Sequence, residues 1–315
     1  MKILYDYFKL FRGANLLIIA LSLFFFQYCI IRPVFENTSV YATLSHFDFV
    51  LLTLAIVLIA AAGNLVNDYF DFEMDKEYKA ESSLLGTLMS LDTAYTVQFA
   101  MNAIGVGLGF FLGWKVGNTK LGYLFVFAMA FLWLYSMTLK KYFLIGNIVV
   151  AALSAFVFVV LVMFESKIFT VMKAPGVDRA AEVIMIQLQG YAAFAFLVSL
   201  IREIVKDAED KEGDAAYKMT TLPVVLPIWA TNLVIALLLL LLMVGIGFVQ
   251  TIYWNGGAKN QFWYATFFLQ VSLLLNLVLI FASKTQKDYR NLSVQLKLLM
   301  LFGILTMPVF YFFNK

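Results

Sequence analysis

Six aspartates carry the chemistry this chain offers. Asp68, Asp71 and Asp75, within the stretch N-D-Y-F-D-F-E-M-D that begins at Asn67, have their spacing repeated at Asp207, Asp210 and Asp214 in D-A-E-D-K-E-G-D. Both sets read D-x-x-D-x-x-x-D. On a helix, steps of three and seven residues turn roughly 300° and 700°, so each trio falls within a sector of about 60°. The three carboxylates of each set can face one point. Gathered at one mouth, six ionised carboxylates repel one another unless cations sit between them. Mg2+ is the natural choice, because it takes carboxylate oxygens, keeps some waters and completes its shell with substrate phosphates. Two aspartate clusters facing each other across a bundle describe a clamp for a diphosphate.

Basic residues near the same mouth fit that chemistry. Arg12, Lys79, Lys140, Arg202 and Lys206 fall at helix ends on one side, where they could reach phosphate oxygens that metals leave uncovered. A blander reading stands beside each. Topology explains Lys140, Lys141 and Arg12 about as well as phosphate binding does, and a single D-x-x-D at a helix end is more often a solvated loop start. The matched pair of motifs argues against that explanation for the aspartates. The one cysteine, Cys29, and the one histidine, His46, exclude a thiolate cluster, an intrachain disulfide and zinc chemistry built on histidine, so a metal here must be held by oxygen.

The elements that must position these residues are membrane helices. Of 315 residues, 63% are hydrophobic and 14% charged, with a mean hydropathy of +0.86, far too apolar for a soluble domain. The net charge of +3 gives no reason to expect a nucleic-acid partner. Runs of about 20 apolar residues recur, roughly over 14–31, 47–66, 94–113, 121–139, 143–164, 184–204, 225–250, 262–282 and 298–313. These predict an all-α polytopic protein in the lipid bilayer with nine transmembrane helices, the last being the shortest and Lys297 placed to snorkel at its start. The first run, preceded by Lys2, Lys9 and Arg12 and lacking a small-residue cleavage site, reads as a retained span. Gly105, Gly107 and Gly109 in the third span read as close helix packing.

Fifteen of the 23 lysines and arginines fall on the side of the N-terminus, which predicts a cytoplasmic N-terminus in the cytoplasmic membrane. The acidic motifs follow the second and sixth spans and so share the cytoplasmic face. Because 139 residues separate Asp68 from Asp207, and likewise Asp75 from Asp214, the single domain reads as two four-helix halves, about 1–142 and 143–283, with an appended helix at about 297–313. This would be a parallel repeat, unlike the inverted repeats of many transporters. The longest loop, 166–182, reads as a polar excursion on the opposite side. A cation transporter is the rival class, but permeation sites lie near mid-membrane at broken helices, and the spans here lack charges that would continue a pathway.

The motif N-D-x-x-D-x-x-x-D after the second span, R-E-I-V-K-D-A-E-D-K-E-G-D at 202–214 followed by T-T-L-P at 220–223, and L-Y-S-M-T-L-K-K…G-N at 134–147 together resemble the UbiA-type intramembrane prenyltransferases. The resemblance covers nearly the whole chain, and its second motif is most similar to that of digeranylgeranylglyceryl phosphate synthases, which prenylate a glycerophosphate ether lipid. It implies a Mg2+-dependent prenyltransferase. An isoprenyl diphosphate such as geranylgeranyl diphosphate loses its diphosphate, and a lipophilic acceptor such as geranylgeranylglyceryl phosphate captures the allylic cation. The same chemistry on an aromatic acceptor, as in quinone biosynthesis, is the alternative.

Carried over position by position, the resemblance implies that Asn67, Asp68, Asp71, Asp75, Asp207, Asp210 and Asp214 hold metal. Asp71, Asp75, Asp210 and Asp214 are central to catalysis. By the same resemblance Lys140 and Lys206 contact diphosphate, Arg12 and Asn15 match the family's R-x-x-N near acceptor and diphosphate, and Tyr135 lies beside the prenyl chain or the cation; Lys79 and Arg202 join the diphosphate-binding set by their place at the mouth. Asn64, one turn before Asp68, belongs to this neighbourhood, orienting the clamp or satisfying a neighbouring helix. Two departures stand out. After Asp75 the family often continues with Asn and a basic-Pro pair, where this chain has Tyr78-Lys79-Ala80-Glu81-Ser82-Ser83, and Gly13 replaces a common Pro.

Overall fold

The computed structural model describes residues 2–36, 41–78, 84–172 and 178–313. Among these residues the regular structure is helical, with no strand. In chain order the helices are α1 (Lys2–Leu10), α2 (Gly13–Glu36), α3 (His46–Tyr78), α4 (Leu91–Lys115), α5 (Thr119–Met137), α6 (Ile145–Phe164), α7 (Lys167–Val171), α8 (Asp178–Ala216), α9 (Leu222–Val225), α10 (Ile228–Asn255), α11 (Lys259–Ala282) and α12 (Gln286–Phe313). Among the described residues nine of them, α2 to α6, α8 and α10 to α12, are long and apolar enough to cross a bilayer. α7 gives the expected excursion after the fifth span a short helix, and 173–177 lie outside the described residues.

Several expected boundaries are corrected. α3 and α8 do not stop before their acidic motifs but run through them, to Tyr78 and Ala216. Apolar content marks where the oil ends, whereas a helix continues as long as its residues tolerate helical backbone. At 1.5 Å per residue the 33 residues of α3 reach about 50 Å, beyond a hydrocarbon core of about 30 Å. Its last turns can therefore carry charge outside the oil. α12 is likewise not the shortest span, a place taken by α5 with 19 residues. It starts at Gln286 on a polar turn, so Lys297 lies inside the helix rather than at its beginning.

The packing forms two compact units, Met1–Leu23 with Thr38–Lys140 and Phe156–Glu182, and Phe24–Asn37 with Lys141–Ala155 and Val183–Lys315. They are interleaved in sequence and do not coincide with halves bounded near 142 and 283. The suggested duplication remains a reading of the repeated motif.

In the first unit α3 and α4 pack closely where glycine permits. A Cβ at Gly105 would lie 2.9 Å from Ile59 and 3.1 Å from the Ala55 carbonyl oxygen, and one at Gly109 would overlap the Phe125 ring. Gly107 differs, since a Cβ there would meet nothing within 4 Å, so the expected close packing holds for two glycines of the three. At the end of α3 remote from its acidic motif, Ser45 Oγ accepts the Asp48 N–H, and Asp48 is ion-paired with Lys115 at 2.6 Å. In the second unit Ile201, Ile204 and Val205 of α8, Ile235 and Leu239 of α10, Leu273 and Ile280 of α11 and Leu296 and Leu299 of α12 share one buried core.

Candidate active site

The first acidic motif is held by basic residues from two directions. α1 ends at Leu10, and Arg12 takes a left-handed backbone with φ 53°, uncommon for a residue with a Cβ. That elbow turns the chain into α2. Asn64 Nδ2 donates to the Phe11 carbonyl at 3.1 Å, fixing the elbow from α3. Gly13 lies against the Phe8 ring with no room for a Cβ, which accounts locally for glycine at this position. Arg12 Nη2 then donates to Asp68 Oδ1 at 2.7 Å.

Lys140 enters from the short helical turn 139–141 that follows α5. Its ammonium pairs with Asp71 and donates to Asn67 Oδ1 at 3.3 Å, while Asn67 Nδ2 donates to Asp71 Oδ2 at 3.0 Å. Only 10% of the lysine side chain and 13% of the aspartate side chain are exposed. Burial pushes the Lys140 ammonium below the usual lysine range, and Asp71 opposes that shift. Asp75 follows half-buried on the next turn.

The second motif is held mainly by amide and hydroxyl groups. Asn147 Nδ2 donates to Asp207 Oδ2 at 2.7 Å, and Thr221 Oγ1 donates to Asp214 Oδ2 at 2.9 Å. The T-T-L-P run has a mechanical role. Lys218 turns the chain at φ 57°, the Met219 N–H bonds the Asp214 carbonyl, and the Thr220 N–H bonds the Lys141 carbonyl, so the chain folds back over the end of α8. One turn before Asp207, buried Glu203 accepts from Arg202 at 2.9 Å and from Lys206 at 3.4 Å. Asp210 is half-buried on the same helix. Arg290 pairs with Glu209 at 2.9 Å, but its side chain is 63% exposed, so this contact contributes little.

The expected site residues thus divide. In the first unit Arg12 contacts Asp68, Lys140 contacts Asn67 and Asp71, and Asn64 contacts the Phe11 carbonyl next to Arg12. Arg202 and Lys206 are joined through Glu203 in the second. Asn15 on the first turn of α2 and Tyr135 on the last turn of α5 are half-buried. Lys79 and its neighbours Ala80 to Ser83 lie outside the described residues. Three contact residues were not singled out from sequence: Asn147, Thr221 and Glu203. The first two sit in the G-N and T-T-L-P runs. Glu203 had a signal of its own, being four residues before Asp207 and so on the motif's face.

Among the described residues no three carboxylate, imidazole or thiolate groups close on one point. The carboxylates of the first motif meet separate partners, Asp68 meeting Arg12 and Asp71 meeting Lys140 and Asn67. The donors still suit Mg2+, a hard cation that binds through one or two carboxylates and fills its shell with water and substrate phosphate. Partly buried Asp68 and Asp71, and Asp207, Asp210 and Asp214 on the closing turns of a long helix, supply such oxygens.

Comparison with known proteins agrees with this architecture. Over 179 residues the chain is 34% identical to a digeranylgeranylglyceryl phosphate synthase of Thermococcus kodakarensis, a stretch covering 56% of each chain. The match thus spans little more than half the length of that curated relative. The fold is shared with a UbiA homologue from Aeropyrum pernix K1, with a TM-score of 0.65, 16% identity and coverage of 91% of this chain and 96% of the other. It is shared also with a UbiA homologue from Archaeoglobus fulgidus bound to GPP and Mg2+, with a TM-score of 0.62, 14% identity and coverage of 96% and 99%. Residues 38–311 match the UbiA prenyltransferase family. The chain is an integral membrane protein and belongs to the UbiA prenyltransferase family.

Proposed function

We propose that this protein moves a prenyl group from an isoprenyl diphosphate to a lipophilic acceptor, and that the acceptor is a glycerophosphate ether lipid of the geranylgeranylglyceryl phosphate type. The observation that carries the reading is the repeated D-x-x-D-x-x-x-D, each copy on the closing turns of a long membrane helix and each with basic residues beside it. Asn67, Asp68, Asp71, Asp75, Asp207, Asp210 and Asp214 would hold Mg2+. Bound there, the metal supplies positive charge to the oxygens of the leaving diphosphate.

The chain's own residues do the rest. Arg12, Lys140, Arg202 and Lys206 bind phosphate oxygens, and Lys79 is assigned with them from the sequence. The allylic C–O bond breaks with its electron pair departing on the diphosphate, and the acceptor hydroxyl forms the new C–O bond as its proton passes to the released diphosphate or to solvent. Stabilising charge on the leaving group supplies most of the rate. Tyr135 offers a π face to the developing cation, with Asn15 near the acceptor. The motif end and the N-terminus face the cytoplasm in this scheme, by the excess of basic residues there. Support for the acceptor class comes from the name of the T. kodakarensis relative, and support for donor and metal from the A. fulgidus homologue's GPP and Mg2+.

The test is a choice among acceptors. With geranylgeranyl diphosphate as donor, the purified protein is expected to prenylate geranylgeranylglyceryl phosphate and to leave hydroxybenzoate and dihydroxynaphthoate untouched, read by product mass. Prenylation of an aromatic acceptor alone would assign the protein to quinone chemistry.

A further inference from the structure

We propose that Glu203 is a positioning residue, the buried counterion that sets Arg202 and Lys206 for a diphosphate; the inference rests on the donor reading above. Arg202 and Lys206 are four residues apart on α8, about 40° around the helix, where two like charges repel. Glu203 removes that repulsion. The residue is 7% exposed; Oε1 accepts from Arg202 Nη1 at 2.9 Å, Oε2 accepts from Lys206 Nζ at 3.4 Å, and the ion-pair distance from that Nζ to Oε1 is 3.2 Å. A carboxylate so buried is costly unless cations surround it. Here that requirement fixes two long, flexible basic side chains on the turn that precedes Asp207.

The placement is not incidental to the motif. Glu203 precedes Asp207, Asp210 and Asp214 by four, seven and eleven residues, all within about 40° of it on the helix. Moved by the 139-residue offset between the two motifs, it falls on Asn64. Asn64 has the corresponding task in the first unit, bonding the Phe11 carbonyl beside Arg12. Each acidic motif is therefore preceded by one turn that aims basic side chains: by holding backbone in one case, by holding charge in the other.

The experiment uses the full-length protein in nanodiscs, with inorganic pyrophosphate in the presence of Mg2+ as the binding probe and steady-state transfer alongside. Glu203→Gln keeps the shape and loses the charge. It is expected to raise the pyrophosphate Kd and the KM for isoprenyl diphosphate about tenfold while leaving the KM for acceptor within about twofold. Glu203→Asp, which keeps the charge, should recover most of the loss. In a Lys206→Met background the Glu203→Gln change should add less than about twofold, because the cation it positions is gone. An unchanged pyrophosphate Kd in Glu203→Gln, or effects that multiply fully with those of Lys206→Met, would overturn the assignment and leave the donor reading standing. Absence of pyrophosphate binding by the parent protein would overturn both. Should Glu203→Gln not fold, the Glu203→Asp and Lys206→Met proteins decide: a charge-retaining variant that binds pyrophosphate no better than Lys206→Met contradicts the proposal.

Discussion

Asp71→Asn and Asp210→Asn, each made alone, are expected to lower prenyl transfer about a thousandfold while the protein still inserts and purifies as the parent does. Each substitution removes one negative charge at a point where the scheme needs metal-binding oxygen. Asparagine serves better than alanine at position 71. Deleting the partner of a buried cation costs about 3–5 kcal/mol, and the pair here is almost fully buried. An amide is close to the carboxylate in shape and keeps a hydrogen-bond acceptor for Lys140, so less of the buried contact is lost than with alanine. Loss of activity should therefore part from loss of fold, as read by size-exclusion profile and melting temperature. Turnover within about tenfold of the parent in either variant would refute the assignment of metal to these aspartates.

The second large effect concerns the metal. Removal of divalent cations by EDTA should stop transfer altogether, and Mg2+ added in excess should restore it. Arg12 and Lys140 are already engaged with the carboxylates of Asp68 and Asp71, so a diphosphate brought to that end adds negative charge beside paired groups. Without divalent charge the repulsion between diphosphate and aspartates is uncompensated. Transfer that persists at full rate in EDTA would contradict the scheme.

How much of this was legible in the sequence varies residue by residue. The number and order of the spans follow from apolar runs, because a helix with no polar face has nowhere to lie but in lipid. Where each helix ends does not follow, because residues 67–78 and 207–216 interrupt the apolar runs with charge but contain no proline, and hydropathy does not report where helical backbone stops. The spacing of the aspartates placed them on one face, but side-chain partners decide where each carboxylate points, and Arg12 and Lys140 lie 56 and 69 residues away in the chain from Asp68 and Asp71. The Arg12 elbow was hidden for another reason: a positive φ at a residue with a Cβ leaves no signature unless glycine or asparagine occupies it. The spacing of Glu203 puts it on the face of the second motif, but its burial cannot be read from a neighbour's sign.

The most direct measurement is of where the metal sits. Mn2+ in place of Mg2+, with an unreactive thio analogue of an isoprenyl diphosphate, would give an anomalous diffraction signal. The account predicts metal peaks at the carboxylate of Asp71 and at the carboxylate of Asp210 when the diphosphate analogue is bound. Diphosphate bound with no metal at either aspartate, or metal coordinated elsewhere in the chain, would contradict it.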